Sequence, residues 1–132
     1  MKIKTLLLIF MFFLSACESS QPQNLESFTE STNEEIGCVE LIHNGNTYRP
    51  FGVLPDRKLR DIQIGLRNND ASLPIYSVKG YNSADWIIEV ETGFMSGNDL
   101  LYRNISVQQV PDEFEEHRDY SFDAPKQTDR NE

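Results

Sequence analysis

The sequence predicts an all-β fold: a small antiparallel barrel or sandwich of five to six short strands. Three observations carry this. Beyond residue 16, most β-branched and aromatic residues fall in residues 36–110. Turn-forming residues interrupt that zone every 8–12 positions, and apolar residues alternate with polar ones rather than recurring at helical spacings of three and four.

Each element follows in order. Cys38–His43 is an apolar-rich strand, and Asn44-Gly45 after it is a hairpin signal, because a type I′ turn needs positive φ at both central positions. The partner strand begins at Asn46. Pro50 donates no ladder hydrogen bond, so this strand is expected at an edge or to end there, with Val53–Asp56 as loop. From Leu59 to Leu66, Ile62, Ile64 and Leu66 share one face and Asp61 and Gln63 the other, the pattern of a half-buried strand. Pro74–Lys79 is a strand closed by Gly80, Trp86–Glu91 a buried strand, and Leu100–Val110 a last strand bent near Asn104. The expected core is Val39, Leu41, Ile62, Ile64, Leu66, Ile75, Val78, Trp86, Ile88, Val90, Leu101 and Ile105.

Charge divides the 132 residues into zones. Residues 18–35 carry five glutamates and no Lys or Arg, with only Leu25 and Phe28 large and apolar. Such a segment buries too little to offset its ordering entropy, so residues 17–35 are expected to be a disordered acidic tether reaching about 25 Å. Residues 36–110 hold eight acids against seven bases and form the folded domain. Residues 111–132 hold eight acids against three bases and read as an acidic tail. Within it, Asp112–Asp119 has the makings of one helical turn, and Tyr120 and Phe122 are placed to dock back onto the domain.

The N-terminus has the three-part layout of an export signal: Lys2 and Lys4, an apolar run Leu6–Leu14, then Ser15 and Ala16 before Cys17. Nine apolar residues are too few for a membrane span, which needs about 20. Leu14-Ser15-Ala16-Cys17 resembles the lipobox of bacterial lipoproteins at all four positions. That resemblance implies removal of residues 1–16, diacylglyceryl transfer to the Cys17 sulfur and acylation, such as palmitoylation. It places the protein on the extracytoplasmic face of the cell membrane, held by the two or three chains that stable anchoring requires. The mature chain then has ten basic and 21 acidic residues, a net −11. That sign opposes general attraction to nucleic acid, and no nucleic-acid partner is expected. With Cys17 lipidated, one thiol remains, Cys38, expected as a small buried hydrophobe.

A second resemblance spans about residues 38–91. Cys38-Val39-Glu40-Leu41, Asn44-Gly45-Asn46-Thr47-Tyr48, Ile62-Gln63-Ile64-Gly65 and Leu73-Pro74-Ile75-Tyr76-Ser77-Val78-Lys79-Gly80-Tyr81 are similar to small uncharacterised lipoproteins of Gram-positive bacteria. It implies a lipid-anchored β domain and supplies no catalytic residues; the acidic C-terminal tail departs from that pattern.

Chemistry-bearing groups are sparse. Cys38 and His43, five residues apart on one strand, would stand about 16 Å apart on opposite faces, which is no nucleophile–base pair. His43 is expected in solvent beside the turn. There is no Gly-x-Ser-x-Gly elbow. Glu113, Glu116, His117 and Asp119 lack the soft ligands of a zinc site, and no metal or cofactor is expected. Asn104-Ile105-Ser106 matches a glycosylation acceptor, which a bacterial source would not use by the usual route.

The candidate partner contacts are Tyr81 and Phe94, aromatic residues in loops, and the basic group Arg57, Lys58 and Arg60, suited to an acidic partner or to the chain's own tail. The expected function is a non-enzymatic binding or accessory domain for an envelope protein or cell-wall ligand. The alternatives are an inhibitor or immunity-type lipoprotein facing a basic toxin, and a small hydrolase using carboxylates such as Asp85 and Glu89.

Overall fold

The computed structural model describes residues 24–90 and 98–122. They contain seven strands: β1 Glu26–Asn33, β2 Cys38–His43, β3 Asn46–Leu54, β4 Arg60–Arg67, β5 Pro74–Val78, β6 Trp86–Val90 and β7 Asp99–Asn104. A short helix, α1 Asp112–Glu115, and a 3₁₀ turn, Tyr120–Phe122, follow. The strands close into one barrel in the order β1-β2-β3-β7-β6-β5-β4. All neighbours are antiparallel except β1 and β4. An odd number of strands cannot alternate direction around a closed ring, so one parallel pair is unavoidable. It falls at the seam, where Glu26, Ser27 and Phe28 pair with Gly65, Leu66 and Arg67.

The all-β class holds, and several details are corrected. The segment expected as tether supplies β1. It is polar because one residue, Phe28, is its sole fully buried side chain, while its backbone pairs with both β2 and β4. Ladder hydrogen bonds on two sides supply what the side chains do not. β3 runs past Pro50 to Leu54 rather than ending at an edge. The β2–β3 ladder stops at Leu41–Tyr48, so no partner waits opposite the missing Pro50 N–H, and a register shift between Pro50 and Gly52 carries the strand onward beside β7. The last strand ends at Asn104, whose side chain receives the Ser106 N–H and hydroxyl and donates to the Ala84 carbonyl.

The Asn44-Gly45 hairpin is as expected, with φ of 48° and 76°. Leu41, Ile75, Val78, Trp86, Ile88, Val90 and Leu101 are buried as expected, and so is Cys38. Ile62 is 56% exposed, because two register shifts in the β4–β5 ladder break the alternation that assigned it inward. Ile105 is exposed beyond the end of β7, and Val39, Ile64 and Leu66 are half-buried.

Burial falls into two clusters. Phe28, Leu41, Tyr48, Ile75, Ile87 and Tyr102, with Ile64 against them, come from all seven strands and fill the lumen. Phe51, Leu54, Val78, Trp86, Ile88, Val90 and Leu101 lie on the opposite face of β3, β5, β6 and β7 and are covered by Phe114 of the C-terminal segment. That segment is a strap, not a loose tail. Asp119 N–H donates to the Phe51 carbonyl, and Gly52 bridges to Arg118. A side chain at Gly52 would overlap the His117 carbonyl oxygen, so the close approach requires glycine there.

Candidate binding cavity at the barrel end

Strand direction gives the barrel two distinct ends. One holds the β2–β3 hairpin and the start of β1. The other holds the start of β2, the end of β6 and the start of β7. At this second end a cavity of about 420 Å³ opens between the strand ends and the strap. Its walls are Ile36, Val39, Pro50, Leu100 and Tyr102, with Phe122 of the 3₁₀ turn at the rim.

Two charged side chains reach the cavity. Glu89, 1% exposed, accepts from Arg67 Nη1 at 2.9 Å. Arg67 Nε and Nη2 donate to Glu30 Oε2 at 3.0 and 2.7 Å, so one guanidinium ties β4 to both β1 and β6. Burial opposes the charge on Arg67, but the hydrogen bond to Glu30 and the Glu89 charge outweigh it and hold its pKa above the ordinary value. The Tyr102 phenol is pushed up, first by burial and then by Glu89. It stays protonated, a neutral wall group. Cys38 lines the same cavity.

At the other end, a shallower hollow of about 230 Å³ is lined by Glu26, Phe28, His43, Asn46 and Tyr48. The Tyr48 phenol is also raised, mainly by burial, and donates to the Ser83 carbonyl at 2.8 Å.

The sequence-derived site residues fare unevenly. Cys17 and Phe94 lie outside the described residues. Tyr81 is committed to the protein's own strap: its ring stands 4.7 Å from that of Phe114 and its hydroxyl donates to Glu113. That hydrogen bond, followed by burial, pushes the phenol up to about 12. The basic group does not act as one patch. Arg60 turns inward to Asp99, donating at 3.2 and 2.5 Å, beneath a stack on Tyr76, while Arg57 and Lys58 stay exposed. Lys58 and Leu59 do face Glu113, Glu116 and His117 across a groove, so the chain's own acidic strap docks beside that loop.

Other pairings are separated. Cys38 and His43 sit at opposite ends of β2. Asp85 precedes β6 at one barrel end and Glu89 lies near the other, so those carboxylates do not converge. Glu116 contacts the neighbouring His117, and Asp119 accepts from Ser121, which lowers its pKa. Among the described residues no cluster of three metal-ligating side chains forms, and no helix is long and apolar enough to cross a membrane. His43, expected in solvent, is held against Phe28.

Sequence reasoning passed over Arg67 and Tyr102 as cavity residues and weighed Glu89 only as a hydrolase carboxylate. The available signal was Glu89, one acid inside the run Trp86-Ile87-Ile88-Glu89-Val90, because an ionised group is buried only with a partner. Comparison with protein-family models, curated proteins and solved structures finds no match.

Proposed function

We propose that this protein is a lipid-anchored, non-enzymatic binding module of the bacterial envelope, held to the extracytoplasmic face of the cell membrane through Cys17. Its ligand site is the cavity beside Arg67 and Glu89. The observation that carries the reading is the cavity itself. Its volume lies in the range of small-ligand pockets, its walls are mostly apolar, and its guanidinium is held between two carboxylates, Glu89 and Glu30. The nearest nucleophile and base candidates, Cys38 and His43, are a barrel length apart.

Topology adds an orientation. β1 begins at Glu26, nine residues beyond Cys17, a span of at most about 30 Å even fully extended. Glu26 lies at the hairpin end, so an anchor at Cys17 draws that end toward the bilayer. The cavity then opens away from the membrane, toward envelope ligands.

Two measurements test this. Cys17→Ser is expected to abolish palmitate labelling and to move the protein from the detergent to the aqueous phase; unchanged partition would remove the anchor. An NMR screen of cell-wall fragments and envelope peptides against the mature chain is expected to shift Cys38, Val39 and Leu100. Val39→Trp, which fills the cavity, should suppress those shifts. Binding elsewhere, indifferent to Val39→Trp, would refute the site.

A further inference from the structure

Glu30, Arg67 and Glu89 form a row of alternating charge that runs from solvent into the barrel. Their side chains are 37%, 17% and 1% exposed. Arg67 donates Nε and Nη2 to Glu30 Oε2 at 3.0 and 2.7 Å and Nη1 to Glu89 Oε1 at 2.9 Å, so three of its N–H groups are committed to protein carboxylates. Both ends of the row are acids. Two carboxylates against one guanidinium leave one negative charge in excess, and the inner end, on the cavity wall, is Glu89.

Among the described residues, the cavity wall carries no charged side chain besides Arg67 and Glu89. Tyr102 is held protonated by burial and by Glu89. An anion entering this space meets no uncommitted cation and must compete with two carboxylates for Arg67. A cation meets the excess negative charge, and the rings of Tyr102 and Phe122 line the same walls. Aromatic faces attract cations, and charges act strongly on one another where water is scarce.

We propose, taking this cavity as the ligand site, that it selects small amphiphilic monocations: molecules with one ammonium or amidinium group on an apolar body. The body packs against Val39, Pro50 and Leu100, and the cationic group lies toward Glu89. One positive charge is what the row compensates; a second would be stranded among apolar walls. Ligands headed by phosphate or carboxylate are disfavoured by the same sign.

Three probes of matched length test the charge: hexylammonium, 1-hexanol and hexanoate. Each is titrated into the full mature chain at neutral pH and followed by the amide shifts of Val39, Leu100 and Tyr102. Hexylammonium is expected to bind about tenfold tighter than hexanol, the worth of one charge-assisted interaction, and hexanoate to bind more weakly than hexanol. Glu89→Gln should bring hexylammonium and hexanol to equal affinity, and Val39→Trp should abolish the binding of both. Should Glu89→Gln fail to fold, Glu30→Gln, at the exposed end of the row, is expected to reduce the preference. Hexanol or hexanoate binding as tightly as hexylammonium, or a preference unchanged in the variant that folds, overturns the proposal and leaves the cavity as a site for another ligand. Shifts from none of the three overturn it as well; the cavity reading itself falls only if the ligand screen also finds nothing there that Val39→Trp suppresses.

Discussion

Trp86 on β6 and Phe114 on the strap meet ring to ring, with centroids 4.7 Å apart at 58°. Phe51 closes on the other side of Trp86, edge-on at 5.2 Å. The strap is thus anchored on the chain's one tryptophan. Phe114→Ala is expected to cost about 3–5 kcal/mol, the usual range for an emptied aromatic site. Trp86 emission should shift to the red as water reaches its ring. Urea titration and fluorescence of the same samples check both. Gly52→Ala should give a similar spectral shift by pushing the His117 carbonyl off β3.

Tyr81 predicts an alkaline weakness in the strap. Its phenol must keep its proton to donate to Glu113, and its folded pKa rises to about 12 from an ordinary 10. A raised folded value means the contribution is complete below pH 10 and is lost as pH climbs through about 12. Tyr81→Phe lacks the bond throughout. The gap in urea midpoint between parent and Tyr81→Phe should close over that interval, and a constant gap would contradict the assignment.

Arg67 and Glu89 form a buried pair inside the barrel. Removing Arg67 takes the cation from the buried Glu89 carboxylate, so Arg67→Met should destabilise by about 3–5 kcal/mol, while Glu89→Gln leaves the guanidinium paired with Glu30 and should cost less. The double variant should cost clearly less than the sum of the singles, and a double-mutant cycle by chemical denaturation measures the difference.

β1 makes a sharp truncation boundary. A chain beginning at Asn24 should fold like the parent. One beginning at Glu34 lacks Phe28 and both ladders of β1, and should lose its dispersed amide spectrum. Gly65→Ala should weaken the same seam, because its added carbon would stand 2.5 Å from both the Glu26 carbonyl oxygen and the Phe28 ring.

Much of the sheet was legible because strand periodicity is local. The Asn44-Gly45 turn and the burial of Ile75, Val78, Trp86, Ile88 and Leu101 follow from neighbours within a few positions. β1 was not legible. Its polar sequence looks like a tether, and its reason to order is a backbone ladder with residues 38–42 on one side and 65–67 on the other. Ile62 was misassigned because a bulge shifts inside–outside parity, and a bulge leaves no mark in hydropathy.

The site shows the same division. Arg60 reads as one of a surface group of cations until Asp99, 39 residues later, is brought beneath it. Tyr81 reads as an exposed loop aromatic until Phe114 and Glu113 arrive from the strap.

By itself, the sequence determined the β class, the hairpin and about half of the buried residues, since each depends on side-chain chemistry a few bonds apart. The tertiary structure alone decided the closure through β1, the two cores, the strap and the cavity between Arg67, Glu89 and Tyr102. Those depend on contacts whose partners are tens of residues distant, where the energy belongs to the pairing and neither partner's local pattern encodes it.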